Sequence, residues 1–269
     1  MANNLMSLGA SLILGSVKGN DPQGDILLGV LRESGISTDQ IVTDPGRDTI
    51  VKTRIIAHTQ QVARLDRENK TTITDEIRKE LIKAVKERIH TIDAIIVSDY
   101  AKGVVSRELI EELLEIAHEN SIPLCIDPKE KNFPCYRDVD LITPNTKELS
   151  FGAGINIESY EDLVAAASKI KNLLGCKTLL VTRGEHGMSL FDGENEALDI
   201  PTMAQAVYDV TGAGDTVIAC FTLAMISGAT AREAAIIANK AAGLVVAEVG
   251  AASVPRERLF RSCMEEVSG

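Results

Sequence analysis

In Asp209-Val-Thr-Gly-Ala-Gly-Asp-Thr216, an aspartate, Asp215, stands directly behind three residues with little or no side chain: Gly212, Ala213 and Gly214. Apolar residues follow at helical spacing (Val217, Ile218, Phe221, Ala224 and Met225), so the stretch predicts a turn that opens a helix. Small residues let a backbone close around oxygen atoms, and a helix start presents N–H groups without intrahelical partners. Gly212, Ala213 and Gly214 can therefore form an anion hole. Asp215 beside them can take the proton of a hydroxyl nucleophile, the pairing that phosphoryl transfer needs. The competing reading of Asp215 is a helix-start carboxylate with no chemistry. The segment is not a Walker A loop, because no Gly-Lys-Ser or Gly-Lys-Thr follows, and it lies too far along the chain for a dinucleotide fingerprint.

Other polar groups stand where apolar runs end. Asn145 and Glu148 are three apart after Leu141-Ile142; on a first helical turn they can hold waters around Mg²⁺, or they can form a capping box with no ligand. Lys129, behind Asp127-Pro128, can meet a phosphate or lie solvated. Thr182, Arg183 and Gly184 form a tight strand exit that can border a nucleotide. Lys52, Arg54 and Arg64 gather three cations in an acidic chain, which suits an anionic substrate; a solvated charged face is the alternative. Asn239 lies among Ala234, Ala235, Ala238, Ala241, Ala242 and Gly243, where it can reach an adenine or ribose, although helix packing alone explains the alanines. His58, His90, His118 and His186 form no metal-ligand pattern.

The elements that position these groups follow from periodicity. Met1–Gly9 reads as the end of a helix, Ser11–Val17 as a strand, Gly19–Gly24 as a loop, and Asp25–Ser34 as a helix with Leu27, Leu28 and Leu31 inward. Thr49–Ile56 and Gln61–Asp66 read as a hairpin standing off the core, a small β lid within residues 45–68, or else as an edge of the main sheet. Helices are expected over Glu76–Ile89, Ser106–Asn120 and Arg232–Glu248. Short buried strands are expected at Ala94–Val97, Leu124–Ile126, Leu141–Ile142 and Thr178–Val181, with Met188–Phe191 antiparallel to the last. Alternating strands and helices predict a doubly wound, mostly parallel α/β sheet, with ligands beyond the carboxyl ends of the strands. Those ends carry Ser98-Asp99, Asp127-Pro-Lys129, Thr143-Pro-Asn145 and Thr182-Arg183-Gly184.

The chain has 269 residues, enough for one substantial core in one domain with room for a small appendage. Its formal net charge of −11 argues against a broad nucleic-acid surface. Five cysteines without CxxC spacing read as thiols of a reducing, cytoplasmic compartment. No apolar run approaches a membrane span, and the first residues lack the pattern of a signal peptide.

Asp209–Thr216 resembles the C-terminal signature of the ribokinase-like carbohydrate kinases, and Thr143-Pro-Asn-Thr-Lys-Glu148 resembles their asparagine–glutamate motif. Val97-Ser-Asp-Tyr-Ala-Lys-Gly103, Gln60-Gln-Val-Ala-Arg-Leu-Asp66, Leu124-Cys-Ile-Asp-Pro-Lys129, Leu180–Leu190 and Pro201–Val210 resemble the heptose 7-phosphate kinases within that family. The resemblance spans essentially residues 1–269. It implies a three-layer α/β/α fold with a β lid, and ATP-dependent phosphorylation of the anomeric hydroxyl of D-glycero-D-manno-heptose 7-phosphate. By the same likeness Asp215 is the base, and Asn145 and Glu148 belong to a magnesium and phosphate network. Thr182, Gly184 and Asn239 border the nucleotide, and Lys52, Arg54, Asp99 and Lys129 lie near the sugar phosphate or the transferred phosphate. It further implies a homodimer paired through the lid. The family pattern opens with a strand bearing a sugar-contacting aspartate, part of the lid and a glycine-rich segment, and this sequence begins beyond them, inside the helix that follows. Weak sugar binding or an inactive nucleotide-binding remnant is the resulting alternative, together with a kinase for another sugar or sugar phosphate. Ending at Gly269, the chain is not expected to activate its product with a nucleotide.

Overall fold

The computed structural model describes residues 1–57, 60–193, 197–204, 207–248, 250 and 252–267; His58 lies outside them. In chain order the elements are α1 (Ala2–Ser7), β1 (Ser16–Gly19), α2 (Pro22–Glu33), β2 (Ile41–Asp44), β3 (Val51–Ala57), β4 (Gln60–Arg67), α3 (Asp75–Arg88), β5 (Ile95–Ser98) and α4 (Arg107–Asn120). Then come β6 (Leu124–Asp127), β7 (Leu141–Ile142), α5 (Thr146–Ala153), α6 (Tyr160–Leu174), β8 (Thr178–Thr182), β9 (Met188–Asp192), β10 (Leu198–Ile200), α7 (Ala213–Ile226), α8 (Ala231–Val246) and α9 (Arg256–Val267).

The main sheet runs β10-β9-β8-β7-β6-β5. Strands β5 to β8 are parallel, and β9 and β10 are added antiparallel. Side-chain alternation along these strands builds two cores. Leu124, Ile126, Ile142, Leu179 and Val181 point to one face, where α4 brings Leu109, Ile110 and Leu113 and α6 brings Leu163, Ala166 and Ile170. Cys125, Leu141 and Leu180 point to the other face, against Val217, Ile218 and Phe221 of α7 and the alanines of α8. A sheet apolar on both faces must be covered on both, which gives three layers. Helix starts are fixed locally: Ser106 Oγ accepts from Leu109 N at 3.3 Å, and Thr230 and Glu233 form a capping box at α8.

Strand β1 pairs in parallel with β2 alone. Hairpin β3–β4 is a third, separate two-stranded sheet, so it is not an edge of the main one. Its register sorts residues by face: Thr53 lies opposite Leu65 and Ile55 opposite Ala63 on one side, and Lys52 opposite Asp66 and Arg54 opposite Arg64 on the other. One face is mostly apolar, with Arg67 opposite Val51 at its end, and the other is charged.

Two sequence expectations are corrected near the start. The first strand covers Ser16–Gly19 rather than Ser11–Val17, because the pairing partner β2 begins only at Ile41, opposite Ser16. The next helix begins at Pro22, three residues early. Its clamp is Gly24, where an added Cβ would lie 2.7 Å from Gly19 O. The stripe expected inward stays largely unpacked, with Leu27 exposed and Leu28 and Leu31 only partly covered. Helices α6 and α9 and strand β10 are additions to the sequence reading.

Candidate active site

Gly212 is the N-cap of α7 at φ 84°, ψ 0°, a left-handed conformation that glycine adopts without a Cβ penalty. That turn is held from below. Asp209 accepts from Thr211 N at 2.8 Å and from Gly250 N at 3.2 Å, and Tyr208 N donates to Val246 O at 2.7 Å. Among the described residues no side chain caps the helix start, so its leading N–H groups are available to a ligand. Ala213 is the exception in the expected trio, since its N–H donates to Val210 O at 3.2 Å. An added Cβ on Gly212 or Gly214 would meet nothing within 4 Å. Among the described residues, both glycines therefore border open space rather than packed protein.

Asp215 follows in the first turn of α7. Its Oδ1 accepts from the Tyr100 hydroxyl at 3.4 Å, and its Oδ2 takes the α-ammonium of Met1 at 3.0 Å. Helix α1 packs on α7 at this point, with Asn4 Nδ2 donating to Thr216 Oγ1 at 3.0 Å.

The strand ends supply the opposite wall. Ser98 and Asp127 are neighbours in register at the ends of β5 and β6, and Asn145 bridges to Thr182 beyond β7 and β8. Asn145 Oδ1 accepts from Glu148 N at 2.9 Å, and Glu148 Oε2 accepts from Asn145 N at 3.0 Å. The capping-box reading is therefore realised. It leaves Glu148 Oε1, which is bound by Lys129 Nζ. Burial pulls the Lys129 ammonium down, and Glu148 together with Asp127 and Glu130 more than offsets this, so the lysine is held above its ordinary value.

Asp127, which sequence reasoning left as a strand-end marker, is the most perturbed carboxyl of this wall. Burial first, then the charges of Asp215 and Glu148, push it up to about 7, against Lys129 and the Met1 ammonium. Its signal in the sequence was only its place at the end of a buried strand, two residues before Lys129. The sign of the stability effect follows. The folded pKa exceeds the ordinary 3.8, so the folded chain keeps a proton that the unfolded chain releases. The contribution of Asp127 to stability is full below about pH 3.8 and is lost as the pH rises through about 7. Asp127→Asn cannot ionise, so its Tm relative to the parent is expected to be several degrees more favourable at about pH 8 than at about pH 5. Thermal unfolding at both values checks this, and an equal shift at the two would refute the assignment.

The remaining expected residues are placed as follows. Asp99 is 2% exposed and accepts from Tyr136 Oη at 2.5 Å, Asn132 Nδ2 at 2.7 Å and Ala101 N at 2.7 Å. It braces the loop after β5 with three hydrogen bonds. Asn239 Nδ2 donates to Pro201 O at 2.6 Å, and a Cβ on Gly243 would sit 3.1 Å from Met203 and Ala204. The small-residue face of α8 thus makes room for the segment after β10. Thr182 and Gly184 stand at the β8 exit, where a Cβ on Gly184 would meet open space. Lys52 lies 3.6 Å from Glu68 and Arg64 2.9 Å from Asp66; both lysine and arginine share the charged hairpin face with Arg54. Among the described residues no group of three or more His, Cys, Asp or Glu side chains is arranged to hold a metal.

A family model described as pfkB family carbohydrate kinase matches residues 1–258. Bifunctional protein HldE of Trichlorobacter lovleyi is 40% identical over 254 residues, covering 94% of this chain and 52% of that protein. The protein of the same name from Helicobacter pylori is 39% identical over 259 residues, covering 96% and 56%. The chain thus spans about half the length of the curated relatives it matches. Among solved structures, phosphofructokinase-2 of Escherichia coli superposes with a TM-score of 0.79 at 19% identity, covering 98% of this chain and 85% of that one. Arabidopsis thaliana ribokinase, complexed with ribose and ATP, gives 0.73 at 20% identity, covering 96% and 85%. The three-layer fold is ribokinase-like.

Proposed function

The chain belongs to the pfkB family of carbohydrate kinases, and within that family we propose that it transfers the γ-phosphoryl group of ATP to the anomeric hydroxyl of D-glycero-D-manno-heptose 7-phosphate. The observation that carries this reading is Asp215 in the first turn of an uncapped helix, behind two glycines that border open space. Asp215 takes the proton of the C1 hydroxyl. The sugar oxygen bonds to the γ-phosphorus, the bond from that phosphorus to the β,γ-bridging oxygen breaks, and ADP leaves with the bridging oxygen. The N–H groups of Gly212, Gly214 and Asp215 receive the charge on the transferred group.

Mg²⁺ would arrive with the nucleotide and offset phosphate charge. Glu148, with one carboxylate oxygen in the capping box and the other on Lys129, suits contact through water better than direct ligation. Asn145 would share that water shell, and Lys129 would meet the transferred phosphate. Thr182, Gly184 and Asn239 would border the nucleotide. Asp99 would act by bracing the loop that carries Tyr100 toward Asp215. The choice of heptose rests on the motifs from Val97 to Gly103 and Leu124 to Lys129, and relatives of about 40% identity share one name, HldE.

The test is product formation from ATP, Mg²⁺ and the heptose 7-phosphate, followed by phosphorus NMR, with ribose, fructose 6-phosphate and no sugar as comparisons. A new anomeric phosphate only with the heptose supports the reading. Turnover with another sugar would reassign the substrate, and ATP binding without transfer would point to a nucleotide-binding chain. The apolar face of the hairpin, with Ile55 and Leu65 exposed, would be covered by a second copy, the parent chain then having twice the monomer mass in light scattering.

A further inference from the structure

The loop after β5 is fixed at both ends. Asp99, 2% exposed, accepts from Tyr136, Asn132 and the N–H of Ala101. Ala101 itself lies at φ 52°, a left-handed conformation that costs an alanine free energy. Gly103, at φ 83°, presses on the backbone of Thr71, where a Cβ would sit 2.0 Å from the carbonyl oxygen, and Ile73 N donates to Gly103 O at 2.9 Å. Lys102 Nζ adds a bond to Glu68 Oε2 at 2.5 Å. Backbone strain persists where the surroundings over-determine it, and it collects where a site needs a side chain aimed. The side chain aimed by this loop belongs to Tyr100.

Tyr100 is 54% exposed, so packing of its ring does not account for its place. Its hydroxyl donates to Asp215 Oδ1 at 3.4 Å, on a helix 115 residues further along the chain. Burial of the hydroxyl end raises the phenol pKa most; the Ser98 hydroxyl opposes this, the charges of Asp215 and Asp127 add to it, and the net displacement is upward. The phenol therefore keeps its proton at neutral pH and can act as a donor. The other donor that reaches Asp215, the Met1 ammonium, meets Oδ2 at 3.0 Å, so this is the oxygen open to groups from outside the loop.

A carboxylate in a first helical turn can rotate about two side-chain bonds, and a base must present one oxygen to one hydroxyl. A donor held rigidly on the other oxygen fixes that choice, as the third member of a nucleophile–base–orienter set does. We propose that Tyr100 is the positioning residue of the base: its hydroxyl, aimed by the strained loop, holds Asp215 Oδ1 so that Oδ2 faces the reacting hydroxyl of the sugar. A contact of 3.4 Å is long, and bonds of this kind tighten when substrate closes the site. The inference deepens the proposed reaction and rests on Asp215 being its base.

The experiment compares the parent, Tyr100→Phe, Asp215→Asn and the double variant. Tyr100→Phe removes one oxygen from a half-exposed ring and leaves every bond of the loop backbone in place. Its kcat is expected to fall about 10-fold, the worth of one hydrogen bond to a charged group, with KM for the heptose 7-phosphate and Kd for ATP nearly unchanged. In the Asp215→Asn background, read by single-turnover kinetics, the same substitution should cost nothing more, because no base is left to position. Equal losses in the two backgrounds, a loss confined to KM, or an unchanged kcat in Tyr100→Phe would overturn the assignment. A spectroscopic readout stands apart from turnover. The chain has four tyrosines and no tryptophan, so the ultraviolet difference between parent and Tyr100→Phe isolates the ionisation of Tyr100. Loss of the Asp215 charge in Asp215→Asn should let Tyr100 ionise at a lower pH. Should the parent fail to phosphorylate the heptose, that shift would sustain Tyr100 as the partner that positions Asp215 whatever the sugar, and an unmoved titration would end the proposal.

Discussion

Asp215→Asn is expected to lower kcat by about 10²- to 10⁴-fold, the usual worth of a positioned general base, and to leave the Kd for ATP nearly unchanged. The amide has the shape of the carboxylate and keeps an oxygen for the Tyr100 hydroxyl, which approaches to 3.4 Å. The turn at Gly212 is held by Asp209 and Val246 rather than by Asp215, so the phosphate-facing N–H groups stay in place. What the amide cannot do is take the proton of the sugar hydroxyl. A second readout comes from Asp127, whose pKa is raised in part by the charge of Asp215. Removing that charge should lower the pH at which Asp127 titrates, visible as a shift in the pH dependence of Tm. Single-turnover kinetics and calorimetry with ATP separate the possibilities. Loss of ATP affinity in a folded variant would mean that Asp215 anchors the nucleotide and that the base lies elsewhere.

The turn and helix start at Gly212 were legible because they depend on residue types in one short stretch. The parallel strands β5 to β8 were legible for a similar reason: each is a short apolar run ending in a polar group, and a sheet covered on both faces leaves that mark. Position relative to a distant partner was not legible. Ser11 to Gly15 has as good an apolar pattern as Ser16 to Gly19, and only β2, more than twenty residues on, decides which of them pairs. The leucines of α2 keep helical spacing whether or not anything covers them. Glu68, whose carboxylate takes the Lys102 ammonium, illustrates the same limit. Nothing in Arg67-Glu-Asn-Lys70 says that a lysine more than thirty residues later will join it, because the contact depends on Gly103 closing against Thr71. The three cations expected to act together, Lys52, Arg54 and Arg64, do share a hairpin face. The cluster that forms instead joins Lys52 to cations from two other segments.

Gly214→Ala separates stability from turnover at the same helix start. Gly214 is not among the residues with positive φ, it lies within α7, and an added Cβ would meet nothing within 4 Å. On protein structure alone, alanine there is free of strain and favours the helix by up to about 1 kcal/mol over glycine. The folded chain should therefore be as stable as the parent or slightly more so. The same methyl group would occupy the open space that the γ-phosphate must enter to reach the N–H groups of the turn, so kcat/KM is expected to fall by about 10²-fold, comparable to losing one oxyanion donor. Gly212→Ala makes the contrast sharper. Its Cβ would also meet open space, but at φ 84° it imposes about 1–2 kcal/mol of backbone strain, so it should lose both stability and activity. Thermal unfolding beside steady-state kinetics on the two variants reads out the difference. If Gly214→Ala were more stable and fully active, the glycine would serve only the path of the chain, and the anion would have to be received at another part of the strand-end row.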